Sequence, residues 1–438
     1  MKIRSLCLAA IFSLAAYSSS SAADTIVIAG WDRQLFPSYL IATASVKPQQ
    51  ATEEENPCML GDPDGQIGVR ITATEDDQPV KVTVHCDEFM EVSEFSGKLP
   101  MAGETYTIHP KIRYRYEKLS KCRQASPATL TVRVELDSEA AEETSTTVVF
   151  RSINDCPLQV ATADGVVNTE FTFAAYVNEQ HPFVDKLLRE ALDLGVVTRF
   201  TGYQSQDETE VLRQVYALWD LMVARDVRYS DITATAADSS EVLSQHVRLI
   251  EETANNSQAN CVDGSVLFVS MLRKIGINAS LVLEPGHCFI LFSTDEKGEK
   301  IYGLETTLVD ADVDLPEDSP EFLDDAVDEE LRGDRSWPSF VAAVCTATRN
   351  LAENVENHKQ NKNGYAIIHV YQARKAGVLP IAFDNQEVFV SYDYTDYVRN
   401  SYNTEEESED DTEWSEEEES DSEWDEDADE DSDEESDE

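Results

Sequence analysis

Cys261, His287 and Glu305 follow one another in an order that suits nucleophilic catalysis. A cysteine thiolate attacks a carbonyl and an imidazole moves the proton. A carboxylate behind the imidazole fixes its tautomer and stabilises its charged form. Such a trio performs acyl transfer from an amide. Cys261 attacks the carbonyl, His287 protonates the leaving amine, and water or a second amine resolves the thioester. Taken singly, each residue has a plainer reading. Cys261 reads as a buried small hydrophobe, His287 as a capped strand-end histidine, and Glu305 as an exposed strand end. The chemical reading is favoured because the local sequence predicts a suitable element for each.

Residues 258–277 read Gln-Ala-Asn-Cys-Val-Asp-Gly-Ser-Val-Leu-Phe-Val-Ser-Met-Leu-Arg-Lys-Ile-Gly-Ile. Asn260 is a good N-cap, and Asp263 completes a start of the capping-box kind. Arg273 and Lys274 suit a last turn, and Gly276 a stop. Cys261 therefore falls at the first helical position, where unpaired N–H groups and the helix dipole favour a thiolate. Its backbone N–H is a candidate oxyanion donor, and the Gln258 side chain is a second. After the helix, strands are expected over 279–283, over 288–292 with His287 at the head, and over 301–305. The turn Glu284-Pro285-Gly286 joins the first two. Antiparallel return then brings Glu305 beside His287. Cys288 points the opposite way and reads as core. Asp310 is a poorer acid, because it lies beyond the predicted strand end.

This run resembles the transglutaminase-like superfamily, relatives of the papain-fold cysteine peptidases, in its bacterial exported type. Leu-Arg-Lys-Ile-Gly-Ile (272–277), Glu-Pro-Gly-His-Cys-Phe (284–289) and Leu-Glu-Thr-Thr (304–307) carry the likeness. The resemblance implies a papain-like α+β domain with Cys261 as nucleophile, His287 as base, Glu305 as orienting acid, and no cofactor. Many members have glycine two residues before the cysteine and aspartate as the acid, where this chain has Ala259 and Glu305. A longer acid does the same job if its backbone sits back. Exported chains of this arrangement resemble peptidases or amidases, and no amine-acceptor site or calcium element of the crosslinking enzymes is evident. Hydrolysis of a protein or peptide substrate is therefore expected ahead of crosslinking. The alternative is a module that keeps the fold without turnover and serves binding or scaffolding.

Before this segment the pattern is β. Alternating runs over 68–72, 80–84, 112–116, 130–134 and 147–150 predict short strands of an antiparallel sandwich. Asp62-Pro63-Asp64-Gly65 opens like a calcium loop, but position twelve is Ala73, so it reads as a turn. Helical periodicity begins near residue 170. Val184, Leu187, Leu188, Ala191 and Leu192 form one face, stopped by Gly195, and Val211, Leu212, Val215, Leu218, Trp219 and Met222 a second. Val242, His246, Leu249 and Ile250 suggest a third, on which His246 is an ordinary half-buried residue. Residues 310–334 read as an acidic surface insertion. A helix over 338–357 follows, with Cys345 in its core, and then short strands at 367–368 and 388–390. Asn255 and Asn278 match glycosylation acceptors, a weak signal.

At the level of the 438-residue chain, Lys2 and Arg4, an apolar run over 6–16 and Ser21-Ala22-Ala23 read as a secretory signal over 1–23, implying a periplasmic or secreted protein. Seven cysteines follow it. In an oxidising compartment Cys58, Cys86, Cys122 and Cys156 are expected in two disulfides, with Cys58–Cys86 and Cys122–Cys156 favoured by proximity alone. No C-x-x-C spacing supports a zinc site. No second apolar run reaches the roughly 18 residues of a membrane span. The net charge of −52 excludes sequence-independent nucleic-acid binding. Residues 405–438 hold 24 Asp or Glu and no Lys or Arg, which leaves −28 on the rest. Such a block cannot bury enough apolar surface to fold. Trp414 and Trp424 interrupt it. A solubilising tail is the plain reading, and capture of basic partners or divalent cations the sharper one. The expected organisation is a signal (1–23), a β-sandwich (24–165), a transglutaminase-like domain (166–403) and a disordered acidic tail (404–438).

Overall fold

The computed structural model describes residues 25–46, 57–137, 140–162, 165–231, 237, 239–316, 319–383, 386–394 and 397. The expected signal and acidic tail lie outside the described residues. Valine alternating with polar residues builds the first half. One sheet runs in the order β1 (Ile26–Ala29), β4 (Ile67–Thr72), β7 (Thr105–His109), β3 (Met59–Gly61). A second runs β2 (Gln34–Leu35), β9 (Glu142–Phe150), β8 (Ser126–Leu136), β5 (Gln78–His85), β6 (Ser93–Leu99). Their neighbours are antiparallel except β2 with β9 and β3 with β7. In β5 the residues Val80, Val82 and Val84 are buried while Lys81 and Thr83 reach solvent, the period of two that alternation predicts. These valines share one buried cluster with Ile67, Val69 and Ile71 of the other sheet. Two short helices, α1 (Pro37–Thr43) and α2 (Tyr116–Ser120), close this half.

Three expectations fail here for local reasons. Residues 112–116 form no strand. Tyr114 makes a single bridge to Met90, donates its hydroxyl to Gly65 O at 2.7 Å, and α2 begins two residues later. The tyrosine that looked like a strand position is anchored as an individual residue. No disulfide joins Cys58, Cys86, Cys122 and Cys156. They stand at separate places in the chain: before β3, after β5, after α2, and in the strand Asp155–Thr162. The Cys122 thiol instead lies 3.3 Å from two carbonyl acceptors for its one proton, Gln124 O and Arg151 O. Asp62 does make its turn, accepting from Asp64 N at 3.2 Å.

The third failed expectation is the helix from Val242. β10 (Asp155–Thr162) pairs with β11 (Gly165–Asn168) on one side and with β13 (Val242–His246) on the other. Val242 and Ser244 are buried and Leu243 is exposed, so the segment alternates as a strand. Helix resumes only at α5 (Ile250–Asn256), where Glu252 accepts from Leu249 N at 2.8 Å.

The helix and the hairpin that carry the site are the expected ones, and a short ribbon that was not expected leads into them. α3 (Pro182–Leu194) and α4 (Glu208–Ala224) are followed by a two-residue strand β12 (Arg228–Tyr229). This pairs in parallel with β14 (Gln258–Ala259), just before α6 (Cys261–Lys274). α6 packs on a sheet ordered β17 (Ile301–Leu304), β16 (His287–Ser293), β15 (Ala279–Glu284), β18 (Ala366–Ile368). Leu281, Ile290 and Phe292 share the main core with Val266 and Phe268 of α6. On the other face, Val282, Phe289 and Leu291 pack on Ala347 of α8 (Ser336–Lys359), after the short α7 (Glu321–Asp324). Gly303 lets α8 come close, because a Cβ there would stand 2.6 Å from Ala347. α9 (Val370–Ala376) follows, and residues 386–394 then join no sheet, where a strand at 388–390 was expected. The strand-rich and helix-rich halves contribute to one buried cluster. Among the described residues no helix is long and apolar enough to cross a membrane.

Candidate active site

The start of α6 is built by its cap. Asn260 Oδ1 accepts from Val262 N and Asp263 N, both at 2.9 Å, and Asp263 Oδ2 accepts from Asn260 N at 3.0 Å. The cap thus takes the N–H groups of Val262 and Asp263 and not that of Cys261, the first helical residue. Asp263 is buried and also accepts from Arg248, at 2.7 Å from its backbone N and 2.6 Å from Nη1. This ties the stretch after β13 to the helix start. The Cys261 carbonyl is held as well, by Ser265 Oγ at 2.7 Å and Thr306 Oγ1 at 3.4 Å. Gly264 allows that approach, since a Cβ there would meet Thr306 at 3.2 Å.

His287 opens β16 opposite Glu284 of β15, and Leu304 of β17 pairs with Ile290. The next residue, Glu305, therefore comes back toward the His287 end, as antiparallel return requires. His287 Nε2 lies 2.6 Å from Glu305 Oε2. The other carboxylate oxygen accepts from Thr307 N at 3.2 Å and Thr307 Oγ1 at 2.7 Å, and Glu305 N donates to Ala343 O of α8 at 3.2 Å. Glu305 is nearly buried, while His287 keeps 31% of its side chain exposed. With Nε2 taken by the carboxylate, Nδ1 is the nitrogen left for the thiol. Hydrogen bonding to Cys261 first, and to Glu305 second, outweighs burial and pushes the His287 imidazolium up to about 10. The three residues singled out in the sequence are thus brought together.

The other candidates are placed differently. Cys288 is buried, and burial pushes its thiol well above the ordinary range. Asp310 is taken up by Arg228 at 3.0 Å and Arg335 at 2.9 Å. Gln258 is exposed in β14 and pairs with Arg228, so it projects to the opposite side of the ribbon from Ala259. Ala259 pairs with Tyr229, which sequence reasoning missed. The Tyr229 ring is 49% exposed, and its phenol is pushed up by burial first and then by Cys261, Asp231 and Glu305. Those charge interactions place the Tyr229 phenol near Cys261 and Glu305. Arg248 was missed too. Neither carries a local signal, because their partners lie far along the chain. Among the described residues, no group of three His, Cys, Asp or Glu side chains is placed to hold a metal ion. No family model and no curated protein matches the chain.

Proposed function

We propose that this chain is a cysteine-dependent acyl-transfer enzyme acting on amide bonds, a peptidase or amidase ahead of a crosslinking transglutaminase. In this reading an N-terminal β-sandwich precedes a transglutaminase-like, papain-like domain, and the protein is exported to meet a protein or peptide substrate. The observation that carries it is the 2.6 Å contact of His287 Nε2 with Glu305 Oε2, on a ring whose charged form Cys261 also favours. At neutral pH the proton that a leaving amine needs is then already on His287. The Cys261 sulfur attacks the carbonyl carbon, and negative charge develops on the carbonyl oxygen. The Cys261 N–H, outside the cap, and the Tyr229 O–H are the candidate donors for that charge. His287 protonates the nitrogen as the C–N bond breaks, leaving a thioester and a neutral imidazole. That imidazole takes a proton from water as its oxygen attacks the thioester, and the acid leaves with Cys261 restored as thiolate beside a charged His287.

The test is incubation of the full chain with a peptide library and a labelled primary amine. The reading expects new termini or free acid and little label, all lost in Cys261→Ala. Label on glutamine side chains reverses the choice between hydrolysis and transfer. Identical product patterns for wild type and Cys261→Ala contradict the enzyme reading and favour a binding module.

A further inference from the structure

Residues 386–394 form a strap that bonds to or packs on residues of α3 and α5 and the residue that ends α4, and one of its hydrogen bonds reaches the turn that precedes Cys261. Asn255 clasps this strap on both sides, donating to Val388 O at 2.9 Å and accepting from Val390 N at 2.9 Å. Phe389 is buried against Phe183, with ring centroids 5.1 Å apart. Arg225, fully buried after α4, donates to Val390 O at 3.0 Å and lies over the Tyr392 ring, 4.3 Å from its centroid. The Tyr392 hydroxyl is 2.6 Å from Ser257 Oγ. Ser257 has one hydroxyl proton, and it goes to Arg225 O at 3.0 Å. Tyr392 is therefore the donor in the 2.6 Å bond.

Ser257 is where the strap meets the chemistry. Its φ is +50°, a left-handed conformation that a residue with a side chain keeps only when its surroundings hold it. Its carbonyl accepts from Arg228 N at 2.9 Å, at the first residue of β12. Ser257 thus clips residues 225 and 228 to the strand that leads into Cys261. That clip sets the register in which Tyr229 stands beside Ala259.

We propose that Tyr392 is a positioning residue of the active site: by locking the Ser257 turn, it sets the β12–β14 ribbon and so the placement of Tyr229 and Cys261 relative to His287. This rests on the cysteine-triad reading above. A chain segment remote in sequence then governs the reactivity of the thiol, and not stability alone.

The test is peptide-resolved alkylation of Cys261 by iodoacetamide from pH 5 to 10 in the full chain, with Cys288 as internal reference and urea unfolding in parallel. Tyr392→Phe keeps the ring over Arg225 and removes only the donor. Tyr394→Phe is the control, because it loses a bond to Glu190 without touching Ser257. Tyr392→Phe and Ser257→Ala are each expected to slow Cys261 labelling at pH 7 about three- to tenfold and to move its pH profile upward. The double variant should be no slower than the slower single one, because both remove the same contact. Tyr394→Phe should lower the urea midpoint and leave the profile in place. The proposal is overturned if Tyr392→Phe superimposes on wild type, if Tyr394→Phe shifts the profile equally, or if the two effects multiply. If wild-type Cys261 labels no faster than Cys288, the triad reading fails first and this one with it.

Discussion

At the scale of single residues the account turns on one imidazole. An opposite charge within hydrogen-bonding reach stabilises the charged form of a titrating group, typically by one to three pH units. His287 has two such neighbours, and its imidazolium is held to about 10 against an ordinary 6.5. The folded value is raised, so this contribution to stability is complete below about pH 6.5 and is lost as pH rises through about 10. Glu305→Gln removes one neighbour and keeps the shape. The His287 ring, followed by NMR, should then titrate lower by on the order of one unit or more. An unchanged titration would mean that the 2.6 Å contact does not act on the ring. Tyr229 belongs to this scale as well. Tyr229→Phe should lower kcat for amide cleavage about tenfold or more, with little change in KM, if its O–H meets charge that exists only in the transition state. An equal rise in KM with kcat unchanged would make it a binding contact.

At the scale of elements, what was legible in the sequence is what short-range physics decides. The cap at Asn260, the stop after Lys274, the hairpin of β15 and β16 and the return of β17 each follow from residues a few positions apart. They place Cys261, His287 and Glu305 together. The illegible parts are set by distant partners. Val242, His246, Leu249 and Ile250 have helical spacing, yet the first two belong to a strand because β10 offers unpaired backbone groups beside them. Tyr229 gained its place from a parallel pairing with Ala259, thirty residues on, and nothing near it announces that. Two substitutions weigh these forces. Asn260→Ala should cost about 1 kcal/mol, the usual worth of an N-cap, by urea unfolding. Arg248→Ala leaves Asp263 buried without its 2.6 Å guanidinium partner and should cost more, about 3–5 kcal/mol. Equal small losses would mean that the Arg248–Asp263 pair does not hold the helix start.

At the scale of the whole molecule, charge and chain length divide the C-terminal region at about residue 400. Before it, the strap is held by Arg225 and Asn255, and Tyr397 donates to Asp220 of α4. The acidic block beyond it carries 24 of the chain's 86 acidic residues and no base to pair them. Deleting 405–438 should therefore leave Cys261 labelling unchanged and reduce only solubility and salt-sensitive capture of basic peptides, which screening over about 8 Å weakens at 0.15 M. Truncation at 386 should instead abolish the preference for Cys261. The opposite pattern would move the functional boundary into the acidic block. The central claim is that Cys261 is held as a nucleophile by His287. It is tested most directly by the rate of Cys261 alkylation against pH in the full chain, compared with His287→Ala and resolved from Cys288 by peptide mass spectrometry. An ordinary thiol is only a few per cent thiolate at pH 7. The account predicts that wild-type Cys261 reacts well below pH 8, far faster than Cys288, and that His287→Ala collapses it to the profile of an ordinary thiol. Equal, slow labelling of both cysteines, or a His287→Ala profile that matches wild type, would contradict it.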